Sequence, residues 1–314
     1  MIRNFLYKVT CIILFFVVAL YFDIVAETKE NSSVNGGGRP VYHKQAEILR
    51  IKQFSPNLKW MQDAALYKNT LFIATGYNNF YVFDWKNQVR LGGPFIWGAG
   101  DKLHCNAISF GAKRKKSDLF PALYCSVGND DRGCYVYSIA KDYVTEKIQT
   151  IRVGFINDSI WRGEPKSDVK GRDSNGYFVV DNENKFLYAV ITRATGKNTA
   201  AGRVFKFALP DLSHKTVILH KSDILEFFDF PFYPVLQGLH INKGILYITS
   251  GFYKIVENEY YFVAIDLAKK TEIWRINMSD IFREMEGAWT DKNNRLYFSG
   301  YDTNGVTQVY RLIR

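Results

Sequence analysis

The stretch Leu246-Tyr247-Ile248-Thr249-Ser250-Gly251 decides the fold, because four close copies of it occur elsewhere in the chain. Each copy begins with a leucine followed by an aromatic residue, and successive leucines are 52, 64, 59 and 50 residues apart. A repeat of this length with a strand-like core is typical of the four-stranded blades of a β-propeller. The other copies begin at Leu71, Leu123, Leu187 and Leu296.

Each copy has strand-like neighbours. A short segment ending in a turn comes before it, and a segment of alternating residues, such as Phe80-Tyr81-Val82-Phe83, comes after it. A fourth, mixed polar and apolar segment follows in four copies. These predicted outer strands are residues 88–91, 147–151, 215–219 and 271–276.

The last copy has only three strands before the chain ends at Arg314, while residues 46–51 form a predicted strand without a blade of its own. We therefore predict an all-β, five-bladed propeller in which the N-terminal strand completes the last blade. Such closure removes the free sheet edges that invite aggregation. Six blades remain an alternative if the insertion at 152–172 contains strands.

Residues 1–26 have the pattern of a secretory signal. Arg3 and Lys8 precede an apolar run at 11–22, and Ala26 offers a small residue for cleavage. The run is shorter than the roughly 20 residues of a spanning helix, so an uncleaved anchor is the second interpretation. We predict an exported protein, with a flexible tether at 27–44 and one propeller domain at 45–314.

The chain is basic, and removal of residues 1–26 leaves 39 Lys and Arg against 30 Asp and Glu, a net charge of +9. A basic surface permits association with acidic glycans, anionic lipid or nucleic acid. Export argues against nucleic acid, and the run at 113–116 is interpreted as a solvated loop. We expect a monomer, without nucleic-acid partners, that contacts a membrane only if the N-terminal segment is uncleaved.

Three cysteines lie beyond the predicted signal: Cys105, Cys125 and Cys134. An exported protein favours one disulfide, and the short separation favours Cys125–Cys134. The spacing does not suggest a zinc site.

Aligning the repeats exposes an amide or a carboxyl residue at the start of every innermost strand, followed by a small or short residue. Innermost strands converge on the central channel, so these side chains are expected to form a ring at its mouth. One interpretation is that they bond backbone groups of the next blade. The other is a ligand or ion site. The ring consists of Gln62, Asn106, Asn175, Gln237 and Glu286.

Further candidates lie near the ring. His104 and Asp173 each precede a ring residue by two positions and would share its face of the strand. His240 and Trp289 are predicted to pack against neighbouring blades, and Trp161 lies in the insertion that could cover the mouth.

The motifs His104-Cys105-Asn106, Leu236-Gln237-Gly238 and Glu284-Met285-Glu286-Gly287, each leading to a Leu-Tyr strand, resemble a group of exported bacterial propellers without an assigned activity. The Glu-Gly step is also similar to calcium-dependent lactonase propellers. That resemblance implies a ring around calcium, to which Glu286, Asn106 and Asn175 correspond. Gln62 and Gln237 occupy the other two ring positions, where they depart from the Glu, Asn and Asp ring of those lactonases.

We therefore predict an exported propeller that binds a small polar ligand at the channel mouth, with carbohydrate as the favoured class. The ligand-binding candidates are Gln62, His104, Asn106, Asp173, Asn175, Gln237 and Glu286. The first alternative is a hydrolase, either a calcium-dependent lactonase or a glycosidase. A glycosidase needs a carboxylate pair, which Glu286, Asp173 and Asp63 could supply, although Asp63 should point away from the channel on a regular strand. The second alternative is a protein-interaction scaffold.

Overall fold

The computed structural model describes residues 47–51, 58, 60–76, 78–98, 103–113, 115–127, 133–164, 168–172 and 176–313. The predicted signal and tether, and the candidates Asp173 and Asn175, lie outside these residues. The regular secondary structure of the described chain is almost entirely β-strand, as the predicted class requires. No helix within these ranges is long and apolar enough to cross a membrane.

Five antiparallel blades surround a central channel. The strands of blade 1 are β2 (Met61–Tyr67), β3 (Thr70–Thr75), β4 (Asn79–Asp84) and β5 (Val89–Ile96). Those of blade 2 are β6 (Cys105–Phe110), β7 (Leu123–Val127), β8 (Gly133–Ile139) and β9 (Thr145–Val153). Those of blade 3 are β10 (Tyr177–Asp181), β11 (Phe186–Gly196), β12 (Thr199–Ala208) and β14 (Ile224–Pro231). Those of blade 4 are β15 (Leu236–Asn242), β16 (Ile245–Ser250), β17 (Tyr261–Asp266) and β18 (Thr271–Asn277).

Blade 5 closes the ring as predicted. It contains β19 (Glu284–Thr290), β20 (Leu296–Tyr301) and β21 (Thr307–Ile313), and its outer strand is β1 (Glu47–Arg50). β1 runs antiparallel to β21, with Glu47 opposite Ile313 and Arg50 opposite Tyr310. The free edge of the last blade is therefore paired with the N-terminal strand, and the prediction of five blades is confirmed.

The predicted outer strand of blade 3 is wrong. Residues 216–219 form β13 (Thr216–Leu219), which pairs in parallel with β9 of blade 2, so blade 2 has five strands. A short 3₁₀ turn, Lys221–Asp223, then leads into β14, which takes the outer position of blade 3. Both segments have the mixed pattern of an edge strand, and this pattern does not determine which edge each one joins.

The insertion that was the alternative source of a sixth blade forms one short helix, α1 (Ser159–Arg162), and no strand in its described part, 154–164 and 168–172. Asp158 caps α1 by accepting a hydrogen bond from the Ile160 amide at 2.9 Å. Trp161 does not cover the mouth. It is buried and stacks on Phe205, with ring centroids 5.1 Å apart.

Apolar side chains fill the five boundaries between blades. Aromatic residues dominate each boundary. Phe80 and Trp97 form a tilted pair, with ring centroids 4.5 Å apart, at the boundary of blades 1 and 2, and Trp289 stacks on Tyr297 of its own blade at the boundary of blades 5 and 1. Burial of this surface is the main favourable term that holds the blades together. His240, as predicted, packs against the next blade, where its ring bonds the Thr290 hydroxyl at 2.9 Å.

The disulfide joins Cys105 and Cys125, whose Cα atoms lie 5.9 Å apart, and leaves Cys134 free and buried. The predicted Cys125–Cys134 pair is wrong. Cys125 lies opposite Tyr135 in the ladder, which places Cys134 opposite Ser126. Because side chains alternate between the two faces of a sheet, Cys125 and Cys134 point into different inter-blade cores.

Candidate functional site

The ring residues sit at bulges in the innermost strands. The pairing of each described inner strand with its neighbour slips at the ring position in blades 1, 2, 4 and 5. A bulge adds one residue without a ladder partner and redirects its side chain. The bulged residues include Gln62, Asn106, Gln237 and Glu286.

The structure brings these residues into contact across blade boundaries. Gln62 Nε2 donates to Glu286 Oε1 at 3.5 Å, and Gln237 Nε2 donates to Glu284 Oε1 at 2.7 Å. On the other side of the ring, Asn106 Nδ2 donates to the Tyr177 hydroxyl at 2.7 Å. All four ring residues are buried. Their side chains therefore link blades to one another, and their predicted role as ligand contacts stays a prediction.

Glycines after two ring residues permit this close approach. A Cβ atom on Gly238 would overlap the Glu286 carbonyl oxygen, and one on Gly287 would overlap the Asp63 carboxyl group. The bulge leaves the Gly238 amide without a partner in the strand ladder. The hydroxyl of Thr249, on β16 of the same blade, accepts a hydrogen bond from this amide at 2.7 Å. Thr249 also donates to the Glu286 carbonyl in the next blade. The innermost strands are thus held together by hydrogen bonds as well as by packing.

Asp63 follows the bulge at Gln62 directly and is completely buried. Its expected direction, away from the channel, stays a prediction. Its carboxyl accepts hydrogen bonds from the amides of Ala64 and, in blade 2, Ile108, each at 2.8 Å. Burial raises the pKa of Asp63, and these backbone donors oppose the rise. The Asp63 side chain thus bonds a backbone group of the next blade. This is the role that the first interpretation gave to the polar residues at the starts of the inner strands.

A pair of hydrogen-bonded carboxyl groups forms the centre of the site. Glu284 and Glu286 lie two residues apart at the start of β19, and their side chains contact each other. Burial, the charge of Glu284 and the charge of Asp63 raise the pKa of Glu286 well above its usual range. Glu286 Oε2 is buried and has no hydrogen-bond partner within the described residues, so a negative charge there would lack a donor and the protonated form is favoured.

Glu284 titrates near neutrality. Burial raises its pKa to about 7, and the hydrogen bonds from Gln237 and Glu286 limit the rise. Two carboxyl groups in contact cannot both ionise cheaply, so the pair shares one proton over the neutral range. At neutral pH the pair thus has at most one negative charge, which resides on Glu284.

Sequence reasoning missed Glu284 as a site residue. The signal was available, because Glu284 precedes Glu286 by two positions, as His104 precedes Asn106. Trp60 precedes Gln62 in the same way. An added Cβ on Gly76 would lie 3.6 Å from His104 Cε1, 3.7 Å from Trp60 Cβ and 3.8 Å from Gln62 Nε2, so these three side chains converge on one point of the mouth.

An open cleft of ≈ 380 Å³ lies at the mouth beside Glu284. Trp60 is 42% exposed there and contacts the edge of Tyr301, with ring centroids 5.9 Å apart. The Arg283 guanidinium stacks on Tyr253 at 3.6 Å from its ring centroid. The cleft is lined by Trp60, Tyr253, Arg283, Glu284, Tyr301, Asp302, Thr303, Asn304 and Gly305.

Within the described residues, no three His, Cys, Asp or Glu side chains are placed to share a metal ion. The calcium ring that the resemblance implied includes two asparagines, and it stays a prediction. Of the three residues that the lactonase resemblance implied, Asn175 lies outside the described ranges. Asn106 and Glu286 each retain one buried side-chain oxygen that accepts no hydrogen bond from the described part of the chain.

The fold and the site define a five-bladed β-propeller with a pair of hydrogen-bonded carboxyl groups at its mouth. No protein-family model and no curated protein matches the sequence. One similar solved structure is assigned as an oxidoreductase (glucose dehydrogenase) of Thermus thermophilus. It is 10% identical, the match covers 86% of this chain and 100% of that one, and the TM-score is 0.47. Another is Myxococcus xanthus glutaminyl cyclase, which is 11% identical, with 88% and 98% covered and a TM-score of 0.45.

Proposed function

We propose that this protein binds a small polar ligand of the carbohydrate class in the mouth cleft. The observation that supports this proposal most directly is one cleft that combines an exposed indole with Glu284, one carboxyl of the buried pair. Membership of the exported bacterial propeller group, export by residues 1–26 and a monomeric state belong to the same proposal.

The aromatic side of the cleft suits a sugar ring. Trp60 presents a broad apolar surface, and Tyr253 and Tyr301 extend the aromatic lining. A sugar has C–H faces that pack on aromatic rings and a rim of hydroxyl groups that need hydrogen-bond partners. Pockets for small ligands combine these two features, an apolar lining and a few convergent polar groups.

The polar side of the cleft supplies planar groups that can bond two adjacent hydroxyls. Glu284, Arg283 and Asp302 contribute two carboxyl groups and a guanidinium. Gln237 orients the Glu284 carboxyl, and stacking on Tyr253 orients Arg283. Because these groups are oriented before a ligand arrives, binding costs less conformational entropy.

The ring residues lie beneath this surface. Gln62, Gln237 and Glu286 support Glu284 from below, and none of them lines the cleft in this structure. Their proposed role is to position the carboxyl that meets the ligand. His104, half-buried beside Gln62, extends the polar floor, and burial lowers its pKa.

A glycan array followed by titration calorimetry on the best binder tests the proposal. Trp60→Ala and Glu284→Gln should each weaken binding about tenfold or more, which corresponds to about 1.4 kcal/mol. Ile273→Ala is the matched control, because Ile273 is 42% exposed on β18, an outer strand. Unchanged affinity in Trp60→Ala would place the ligand elsewhere.

The carboxyl pair also supports a second function, hydrolysis. A group with a pKa of about 7 serves well as a general acid or base at neutral pH, and Glu284 has that value. Hydrogen-bonded carboxyl groups are closer than the roughly 5 Å of a retaining glycosidase, so lactone or ester hydrolysis fits better than glycoside hydrolysis.

A panel of lactones and esters, assayed with added calcium and with a chelator, tests this alternative. Glu284→Gln should abolish any activity found. Activity that survives in Glu284→Gln would argue against the pair as the catalytic group, and loss of activity with the chelator would support the calcium-dependent form.

A further inference from the structure

The face of the propeller opposite the mouth is formed by nine turns. All five inner strands start at the mouth, and neighbouring strands in a blade are antiparallel, so the turns after the first and third strands lie on the opposite face. We call this the basal face. Its turns span residues 68–69, 84–88, 111–122, 140–144, 181–185, 209–215, 243–244, 266–270 and 291–295.

Every one of these nine turns contains an exposed lysine. The lysines are Lys68, Lys86, Lys113, Lys115, Lys116, Lys141, Lys185, Lys215, Lys243, Lys269, Lys270 and Lys292. With Arg295, the described turns hold thirteen basic residues against eight acidic ones. The described mouth loops (154–164, 168–172, 195–198, 232–235, 251–260, 278–283 and 302–306) hold six basic and seven acidic residues. The positive charge is therefore concentrated on the basal face.

The acidic residues of the basal face have a local role. Asp84 accepts the Asn87 amide at 3.1 Å, Asp118 accepts the Lys115 amide at 2.8 Å, and Asp266 accepts two amides of its own turn. These carboxylates close turns, as aspartate commonly does. The lysine side chains, in contrast, are exposed to solvent.

Two of the lysines bond acceptors of their own turns, since Lys113 donates to the Asp118 carbonyl and Lys185 to the Asn182 carbonyl, and Lys269 and Lys270 pair with carboxylates. Turn formation does not explain the other lysines. Lys68, Lys185, Lys243 and Lys270 have positive φ angles of 56°, 60°, 50° and 60°. Glycine or asparagine adopts this left-handed conformation with less strain than lysine does. Lysine at these four positions costs some local stability. The backbone conformation of the turns therefore does not explain why the residue there carries a positive charge.

The first described residue of the propeller lies on the basal face. β21 ends at Ile313 on that face, and Glu47, the first residue of β1, lies opposite Ile313.

We propose that the basal face lies against an anionic phospholipid membrane, with the mouth cleft directed away from it. Twelve of the thirteen basic residues are lysines, which act as point charges and suit delocalised attraction to lipid headgroups. They are distributed over nine turns around a face rather than gathered in a groove, which suits a plane better than a nucleic-acid strand.

Vesicle sedimentation with the full chain tests the proposal, using phosphatidylcholine vesicles with and without phosphatidylglycerol. Lys68→Gln, Lys243→Gln and Lys292→Gln, combined in one variant, remove three charges from three blades of the basal face. Lys170→Gln, Lys197→Gln and Lys254→Gln, the matched control, remove three exposed charges from the mouth loops. The parent and both variants have the same apolar run at 11–22. Any binding that comes from insertion of this run into the lipid is therefore the same for all three proteins, and it does not affect the difference in binding between the two kinds of vesicle.

We expect preferential binding to the phosphatidylglycerol vesicles, lost in high salt. The basal variant should bind them about tenfold or more weakly, and the mouth variant should bind as the parent does. Equal loss in both variants, or no preference for anionic vesicles, would overturn the proposal. Binding to duplex DNA in preference to the vesicles at the same salt concentration, abolished in the basal variant, would also overturn it.

Discussion

Gln237 Nε2 donates a hydrogen bond of 2.7 Å to Glu284 Oε1 across the boundary between blades 4 and 5. This contact holds the single carboxyl of the pair that reaches the cleft. Gln62 contacts the buried partner, Glu286, from blade 1. Residues of three blades therefore converge on one shared proton, and the closure of the ring itself assembles the site.

The carboxyl pair predicts a pH-dependent stability. The pKa of Glu284 rises from an ordinary 4.5 to about 7 on folding. The folded state therefore holds this proton more tightly than the unfolded state does. The contribution of Glu284 to stability should be fully present below pH 4.5, fall by about 3 kcal/mol as the pH approaches 7, and level off above it.

Glu284→Gln should make this pH dependence shallower, because glutamine has no proton to lose, while Glu286 and Asp63, whose pKa values are also raised, keep the remaining part of it. Denaturant unfolding at about pH 5 and about pH 8 measures the difference. Glu183→Gln, at an exposed turn of the basal face, is the matched control and should keep the slope of the parent chain. If the change of unfolding free energy with pH is the same in Glu284→Gln as in the parent chain, the raised pKa assigned to Glu284 is wrong.

Gly287→Ala should destabilise the propeller by about 3 kcal/mol, because the added methyl group would overlap the buried Asp63 carboxyl and the backbone of blade 1. The melting temperature of the variant measures the loss. Gly305→Ala is the control, since Gly305 has a φ of 71° but open space around its Cα. It should cost only the backbone strain, about 1 kcal/mol. If both variants lose the same amount of stability, the inner strands are not packed closely enough at Gly287 to exclude a methyl group.

The disulfide should appear as a single cross-linked peptide containing Cys105 and Cys125 in a non-reducing digest of the purified protein. Replacing both by serine should cost about 2–4 kcal/mol, because the bond restricts the unfolded chain. Cys134→Ser leaves the bond intact and serves as the comparison. A cross-link that includes Cys134 would contradict the register of β7 and β8.

Removing residues 1–51 should lower the melting temperature and promote aggregation, because β21 would lose its partner β1 and expose a free edge. Removing residues 1–44 leaves β1 in place and is the matched control. Thermal unfolding and light scattering measure both effects. Similar behaviour of the two truncations would mean that β1 does not contribute to closure.

The repeat pattern predicted most of the fold. The Leu-aromatic copies, the polar column and the unpaired strand at 46–51 are local signals, and each defined an element that the structure contains. β13 could not be predicted, because an edge strand is recognised by its amphipathic pattern, and that pattern is the same for either neighbouring edge.

The site was only partly predictable. Gln62, Asn106, Gln237 and Glu286 were identified from their equivalent positions in the repeats, and the structure places these four in buried contacts at the mouth. Glu284 was overlooked as a member of the site, although its position two residues before Glu286 was visible in the sequence.

The sequence by itself determined the class of fold, the closure of the ring and the column of polar residues, because all three depend on periodicity along the chain. Only the tertiary structure decided which carboxyl group meets the cleft and that Glu284 and Glu286 share a proton. Burial and contacts across blades set those properties, and they come from residues distant in sequence. The backbone amide of Ile108 holds the Asp63 carboxyl across one blade boundary, and Gln237 and Gln62 contact the carboxyl pair from the blades on either side of it.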